Sequence, residues 1–174
     1  MTPTKPFEIS ILHAPESALR WNLVYDYMKL RHEVFMTKKN WSLHAHAGVE
    51  FEQYDALGLA YYVLAHKGDT VIAGCRLIRC DSVIGRYTYM IKDAYDGRIS
   101  LPREICDAPP PTDAQSWELT RLVSRRHGTA AKAVLEASNI FLAAMGAERC
   151  LCLAAPAARR LGEVAGYSDR KSVV

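Results

Sequence analysis

The stretch that decides the fold covers residues 116–132 and reads Ser-Trp-Glu-Leu-Thr-Arg-Leu-Val-Ser-Arg-Arg-His-Gly-Thr-Ala-Ala-Lys. Its first half, Trp117–Val123, alternates as β-strands do, yet it holds an acid, Glu118, and a base, Arg121, among apolar neighbours. A buried charge is costly unless it is paired, so we expect charged or hydrogen-bonding partners around Glu118 and Arg121. We expect this strand to carry part of an active site.

The second half of the stretch has the composition of an anion-binding turn. Arg125 and Arg126 precede Gly128, where a helix is predicted to begin. Backbone N–H groups at the start of a helix bind anions, glycine allows close approach, and arginine adds charge-assisted contacts. The expected ligand is a phosphate or pyrophosphate, and the pattern resembles the pyrophosphate loop of the N-acetyltransferase superfamily. A solvated turn with a glycine for its geometry is the alternative.

Glu118 and Arg121 are three residues apart, so a regular strand would point them to opposite faces. Either one of them is exposed to solvent or a bulge brings both to one side. A splayed or bulged strand is a feature of the superfamily that the turn resembles, and we therefore expect the bulge. Glu118 would then be a general base for an amine, with a structural ion pair as the alternative.

The composition is that of an ordinary globular protein. The chain has 174 residues, 49% of them apolar and 24% charged, with a net charge of +3. This length predicts a single domain over residues 1–174. No basic stripe suggests nucleic acid as a partner. The longest apolar region, Val134–Ala158, is interrupted by charges, so no membrane span is expected.

Cysteine and histidine spacing gives no prediction of a metal. The five cysteines are an odd number, and Cys150-x-Cys152 has no matching pair. His44-x-His46 lacks a third ligand nearby and is interpreted as part of a solvated loop. With no signal peptide at the start, free thiols in a reducing cytoplasm are expected.

Hydrophobic periodicity predicts alternating helices and strands. The expected strands are Phe7–Leu12, Leu59–Ala65, Val71–Arg79, Tyr87–Ile91, Trp117–Val123 and Cys150–Ala154. Three helices are expected: the first begins near Pro15, the second covers Ala130–Met145 and the third covers Pro156–Ala165. The fold class is therefore α/β (α+β), a mixed central sheet flanked by helices. In the strand Val71–Arg79, Arg76 shares one face with apolar residues. Gly74 in the same strand indicates either a bulge or the close approach of another backbone or a ligand.

Five separated motifs, taken together, resemble the acyl-homoserine-lactone synthase (autoinducer synthase) family. They are Arg31-x-x-x-Phe35, Trp41, Glu52-Gln-Tyr-Asp55, Gly74-Cys-Arg76 and Glu118-Leu-Thr-Arg121. The resemblance implies a fold similar to the N-acetyltransferases. It also implies an enzyme that acylates the amine of S-adenosylmethionine from an acyl thioester, then closes the lactone and releases methylthioadenosine. The thioester would be carried by acyl carrier protein or coenzyme A, and no cofactor is implied.

The resemblance also assigns roles to individual residues. Glu118 would be the catalytic base and Arg121 its partner. S-adenosylmethionine would be bound by Arg31, Phe35, Trp41, Glu52, Asp55 and Arg76. The acyl chain and the pantetheine phosphate would lie against Thr120, Leu122, Arg125, Arg126 and Gly128.

The chain departs from the family pattern in three places. Glu52 stands where the family usually has aspartate, which moves that carboxylate by one methylene. The segment between Arg76 and Glu118 is longer than in many members and looks like a branch that includes users of coenzyme A. Residues 166–174 look like the start of a strand, and the family's last strands are expected to be missing. Two alternatives stay open: an acetyltransferase acting on another amine, and a ligand-binding relative without turnover.

Overall fold

The computed structural model describes residues 6–101, 105–125, 128–154 and 159–168. The strands are β1 (Glu8–His13), β2 (Ala45–His46), β3 (Val49–Glu50), β4 (Tyr61–Lys67), β5 (Thr70–Arg79), β6 (Ser116–Ser124) and β7 (Arg149–Cys152). The α-helices are α1 (Trp21–Arg31), α2 (Met90–Tyr95), α3 (Thr129–Ala144) and α4 (Arg159–Val164). Short 3₁₀ turns cover Ala18–Arg20 and Gln53–Asp55, and a π-helical segment covers His32–Lys38.

Five strands form one mixed sheet in the order β1-β4-β5-β6-β7. The first four are antiparallel to their neighbours, whereas β7 runs parallel to β6 because α3 crosses over between them. The small pair β2–β3 lies outside this sheet. The predicted fold class, a mixed sheet flanked by helices, is confirmed.

The two faces of the sheet bury separate apolar clusters. Under α1, Leu23, Tyr27 and Leu30 are at most 1% exposed and pack with β4 and β5. Burying each such side chain contributes about 2 kcal/mol. On the opposite face, Trp117 and Val134 belong to the cluster under α3. Strand side chains alternate between faces, so β5 and β6 supply both clusters.

The first helix begins later than its periodicity predicts. A helix was expected to begin near Pro15, but α1 starts at Trp21, and Leu19 is fully exposed in the preceding 3₁₀ turn. At its end the helix continues as the π-helical segment, which carries Phe35. π-helical turns are uncommon and often lie near functional sites.

The predicted bulge in β6 is confirmed. Arg121 and Leu122 together lie opposite the single residue Cys75, and Arg121 has a φ of +56°. Positive φ is unusual for a residue with a side chain and fits the extra residue of a bulge. Because of the bulge, Glu118 and Arg121 both reach Met90 on the α1 side of the sheet.

The predicted strand Tyr87–Ile91 is wrong, because α2 begins at Met90. The turn before it is closed by the Asp93 side chain, which accepts hydrogen bonds from the backbone and hydroxyl of Thr88. These bonds fix the chain just before the N-cap residue Tyr89, where it enters the helix. The apolar residues of this segment predict a strand and give no sign that the Asp93 side chain closes a turn.

α3 confirms the helix predicted over Ala130–Met145, and β7 confirms a strand at residue 150 that ends earlier than predicted. Of the last predicted helix, residues 159–164 form α4, and 156–158 lie outside the described residues. Residues 166–168 are not a strand, and 169–174 lie outside the described residues. In the part of the chain that the structure describes, no helix has the length and apolarity needed to cross a membrane.

We predict that Gly74→Ala destabilises the fold, because a Cβ at this position would lie 2.6 Å from Leu64 Cδ2 and 2.8 Å from Tyr27 Cδ2. Overpacking of a core costs about 1–3 kcal/mol. Gly162→Ala in α4 is the matched control, since its nearest neighbour would be 4.0 Å away. Urea unfolding measures both, and equal stability of the two variants would contradict the prediction.

Candidate active site

Six charged side chains form a closed ring in which positive and negative groups alternate. In order they are Arg31, Asp55, Arg76, Glu52, Arg121 and Glu50. We call this set the charge ring. It joins α1, the segment from β3 to the Gln53–Asp55 turn, β5 and β6, and its formal charges sum to zero.

Asp55 connects two of the three arginines. Its oxygens lie 2.7 and 2.9 Å from the terminal nitrogens of Arg31, which makes a bidentate pair. Arg76 Nη1 lies 3.0 Å from Asp55 Oδ1, an ionic contact without hydrogen-bond angles, and Tyr62 donates its hydroxyl to the same oxygen. Burial alone would raise the pKa of Asp55, but Arg76 and Arg31 together hold it well below its ordinary value. Asp55 is therefore a carboxylate throughout the neutral range.

Glu52 and Glu50 close the rest of the ring. Glu52 accepts from Arg76 Nη2 at 2.7 Å and lies 2.9 Å from Arg121 Nη2. Glu50 lies between Arg121, at 3.3 Å, and Arg31. Glu50 was not among the predicted site residues. Its position in the acidic run 50–55 was the available signal, but spacing along the chain did not show which of those acids would face inward.

The charge ring is buried on one side and opens towards solvent on the other. The side chains of Arg31 and Arg76 are 0% exposed, whereas those of Arg121 and Glu52 are 9% and 17% exposed. The open edge therefore presents one guanidinium and one carboxylate. Such a pair is suited to a zwitterionic ligand, whose carboxylate and ammonium carry the opposite charges.

A stacked pair of aromatic rings includes one, Phe35, that lies against Arg121. The Phe35 and Trp41 rings stack with centroids 5.0 Å apart and an interplanar angle of 3°, and the Arg121 guanidinium lies 5.8 Å from the Phe35 centroid. Lys39 Nζ lies over both rings, at 5.6 Å from Phe35 and 5.0 Å from Trp41. Phe35 is buried, but Trp41 is 47% exposed and free to contact a ligand. These faces attract cations.

Glu118 lies beside the charge ring but is not a member of it. Its carboxylate accepts backbone hydrogen bonds from Ile91 at 2.8 Å and from Met90 at 3.2 Å. Arg121 pairs with Glu50 and Glu52 instead, so the alternative of a Glu118–Arg121 ion pair is wrong.

Glu118 is held in a state suited to proton transfer. Burial raises the pKa of its carboxyl, and the N–H group of Ile91, the charge of Arg76 and the N–H group of Met90 lower it, giving a value of about 7. An acid with that pKa exists in both protonation states near neutral pH, which is the condition for an efficient general base.

The residues predicted around the donor do not all lie together. Thr120 is buried on the Glu118 side and accepts a hydrogen bond from Arg76 Nε at 3.2 Å. Leu122, which follows the bulge, packs instead with the cluster under α3. Gly128 precedes α3 with a φ of +121°, a conformation that favours glycine.

Arg125 is engaged within the protein. Its Nε donates to the Val71 carbonyl at 3.1 Å, and its Nη1 lies 2.6 Å from Glu33 on the π-helical segment. The pair is partly exposed, so a phosphate would have to compete only with a weak surface interaction. Arg126, predicted as the second phosphate contact, lies outside the described residues. Across residues 6–101, 105–125, 128–154 and 159–168, no three histidine, cysteine or acidic side chains are placed to hold a metal ion.

Comparison with known proteins places this site in a family. The sequence model of the family described as autoinducer synthase matches residues 17–147. The chain belongs to the autoinducer synthase family. The matched region contains the whole charge ring, both stacked aromatic rings and Glu118.

Among individual autoinducer synthases, an acyl-homoserine-lactone synthase of Pseudomonas chlororaphis is 33% identical over 123 residues, which are 66% of this chain and 55% of that protein. One of Aeromonas salmonicida is 25% identical over 103 residues, 59% of this chain and 44% of that protein. The chain thus spans about half the length of the curated relatives it matches.

Two solved structures show the same fold. A coenzyme A-dependent acyl-homoserine lactone synthase, BjaI, with SAM and isopentyl-CoA gives a TM-score of 0.74 at 22% identity, covering 90% of this chain and 71% of that one. An aminoglycoside acetyltransferase from a soil metagenome gives 0.55 at 13% identity, covering 97% and 92%. The expected likeness to the acetyltransferase fold is confirmed.

We predict that Glu50→Gln destabilises the protein by about 3 kcal/mol, because Arg31 and Arg121 each lose one of their two acid partners in a buried site. Glu136→Gln, which breaks an exposed pair with Lys132 on α3, is the matched control and costs less than about 1 kcal/mol. Urea unfolding at pH 7 compares them. A loss at Glu50 no larger than at Glu136 would show that the charge ring does not stabilise the fold.

Proposed function

We propose that this protein is an acyl-homoserine-lactone synthase. It transfers an acyl group from an acyl thioester to the amine of S-adenosylmethionine, closes the lactone and releases methylthioadenosine, making a quorum-sensing signal. The observation that carries the proposal is the juxtaposition of Glu118, a buried acid with a pKa of about 7, with the open edge of the charge ring. Membership of the autoinducer synthase family supports it.

S-adenosylmethionine would bind at the open edge of the charge ring. Its ammonium is complementary to Glu52 and its carboxylate to Arg121, the two most exposed members. Phe35 and Trp41 offer the aromatic faces that suit a sulfonium and an adenine. Arg31, Asp55 and Arg76 would not contact the ligand from the buried side of the charge ring. Their ion pairs would instead fix the positions of Glu52 and Arg121 at its open edge.

The first chemical step needs a neutral amine. Glu118 takes a proton from the substrate ammonium, and the freed nitrogen lone pair attacks the thioester carbonyl. Collapse of the tetrahedral intermediate forms the amide and expels the thiolate, which takes up the second proton that the nitrogen loses. In the second step a carboxylate oxygen of the acylated substrate attacks the carbon next to the sulfonium. The lactone forms as the carbon–sulfur bond breaks and methylthioadenosine leaves.

The acyl donor would approach from the side of Gly128. Backbone N–H groups at the start of α3 and the Arg125 guanidinium are suited to its pantetheine phosphate, once Arg125 exchanges Glu33 for that phosphate. Thr120, two residues from Glu118 on the same face of β6, would contact the acyl group. Acyl carrier protein and coenzyme A carry the same phosphate, and the BjaI structure with isopentyl-CoA favours testing coenzyme A donors first. These substrates and the free cysteines favour the cytoplasm.

We expect purified protein, given S-adenosylmethionine and a panel of acyl-coenzyme A and acyl-carrier-protein thioesters, to release methylthioadenosine with at least one donor. Liquid chromatography with mass spectrometry detects methylthioadenosine and identifies the lactone. Acyl transfer to other amines without any lactone would favour an acetyltransferase. Binding of S-adenosylmethionine without turnover of any donor would favour a ligand-binding relative.

We also predict that kcat/KM rises about tenfold per pH unit below pH 7 and reaches a plateau above it, because only the deprotonated form of Glu118 accepts a proton. Glu118→Gln lowers kcat at least about 100-fold while S-adenosylmethionine binding, measured by calorimetry, stays within about threefold. Glu136→Gln, the same change at an exposed position on α3, is the control and leaves kcat unchanged. Wild-type turnover in Glu118→Gln would remove Glu118 as the base.

A further inference from the structure

The position of Glu118 depends on a neighbouring segment as well as on its own strand. Both oxygens of its carboxylate accept backbone hydrogen bonds, from Met90 and from Ile91. These two residues are 28 and 27 positions away in sequence. The distance of each N–H group from Glu118 therefore depends on what fixes the segment before and within α2.

Asp93 fixes that segment. Its side chain is 0% exposed and accepts from the Thr88 hydroxyl at 2.8 Å, from the Thr88 N–H group at 3.1 Å, and from Arg98 at 2.9 Å. Its own N–H group donates to the Tyr89 carbonyl at 2.9 Å. Met90 and Ile91 lie between Thr88 and Asp93, so this closed turn holds their N–H groups in place.

Tyr54 links the same turn to the charge ring. Its hydroxyl donates to Asp93 Oδ2 at 2.8 Å, and its ring lies 5.5 Å from the guanidinium of Arg76. Tyr54 is 1% exposed and stands between Glu52 and Asp55 on the chain. One short segment therefore supplies two acids of the ring and the hydroxyl that holds Asp93.

We propose that Asp93 and Tyr54 are positioning residues for the reaction: they hold the N–H groups of Met90 and Ile91 against the Glu118 carboxylate and join the base to the charge ring. Neither touches the reacting atoms. This proposal rests on the proposed function for its effect on turnover, but not for its effect on Glu118 itself.

The expected effect has a definite sign. The two N–H groups stabilise the charged form of Glu118, so loosening them raises its pKa further. The other ionisable groups that face Glu118 are Arg76, Glu52, Cys80, Tyr89, Cys150 and Cys152. Burial raises the pKa of all the thiols and of the Tyr89 phenol in this set, so these groups stay neutral near pH 7.

The test follows the backbone amide NMR signals of Met90 and Ile91 in the full chain as the pH is raised from 5 to 9, a window of about two units on either side of the Glu118 pKa. In the wild type both signals titrate together, and Glu118→Gln abolishes the titration. Tyr54→Phe removes one hydrogen bond and keeps the ring beside Arg76. It moves the midpoint up by about half a unit, and Asp93→Asn moves it further.

Kinetics supply the second readout. In Tyr54→Phe the pH midpoint of kcat/KM moves up with the amide midpoint, and kcat at pH 7 falls about threefold or more while KM for S-adenosylmethionine changes less than about twofold. Tyr62→Phe is the matched control, because its hydroxyl donates to Asp55 of the charge ring and not to Asp93. It raises that KM and leaves the amide midpoint in place. Glu136→Gln, at the exposed pair with Lys132 on α3, changes neither.

Amide midpoints that stay at the wild-type value or move down in both Tyr54→Phe and Asp93→Asn would overturn the proposal, even if both variants lose activity. If Asp93→Asn fails to fold, Tyr54→Phe alone decides. If the wild type turns over no donor, the proposed function fails, and the amide titration still tests the positioning of Glu118.

Discussion

The structure depends on one electrostatic constraint, which is that three guanidinium groups, two of them fully buried and one at the edge of the site, must each find carboxylate partners. Removing an ion from water costs several kcal/mol, and only well-formed pairs compensate for that cost. In the charge ring each arginine contacts two acids and each acid contacts two arginines. The end of α1, the segment 50–55, β5 and β6 must therefore come together for any of these charges to be buried.

This constraint explains the irregular backbone around the site. Arg121 reaches Glu50 and Glu52 because the bulge in β6 turns its side chain to the face that Glu118 already occupies. Next to Cys75, which faces the bulge, Gly74 leaves room for Tyr27, whose hydroxyl donates to the Arg121 carbonyl at 2.7 Å. A positive φ at a residue with a side chain costs energy. Here the surrounding contacts hold it in place.

Two kinds of acid lie side by side in the site. Asp55, paired with two arginines, remains charged, whereas Glu118, which has burial without a direct ionic partner, changes protonation near neutral pH. The paired acids suit binding and orientation, and the unpaired acid suits proton transfer. The segment around α2 keeps Glu118 apart from the ring by giving its carboxylate two backbone donors instead of an arginine.

The bulge in β6 was expected from the resemblance to the N-acetyltransferases, and Gly74 indicated either a bulge or a close approach. The sequence by itself determined the five strands of the main sheet, the helices α1 and α3, and the family to which the site residues belong. These follow from periodicity and from residue types at fixed spacing, which are local properties of the chain. Only the tertiary structure decided that Glu50 closes the ring, that Arg121 pairs with it across 71 positions, that Arg125 binds Glu33, and that α2 replaces a strand to hold Glu118. Each of these contacts depends on which buried polar groups meet in space, and local spacing does not specify that.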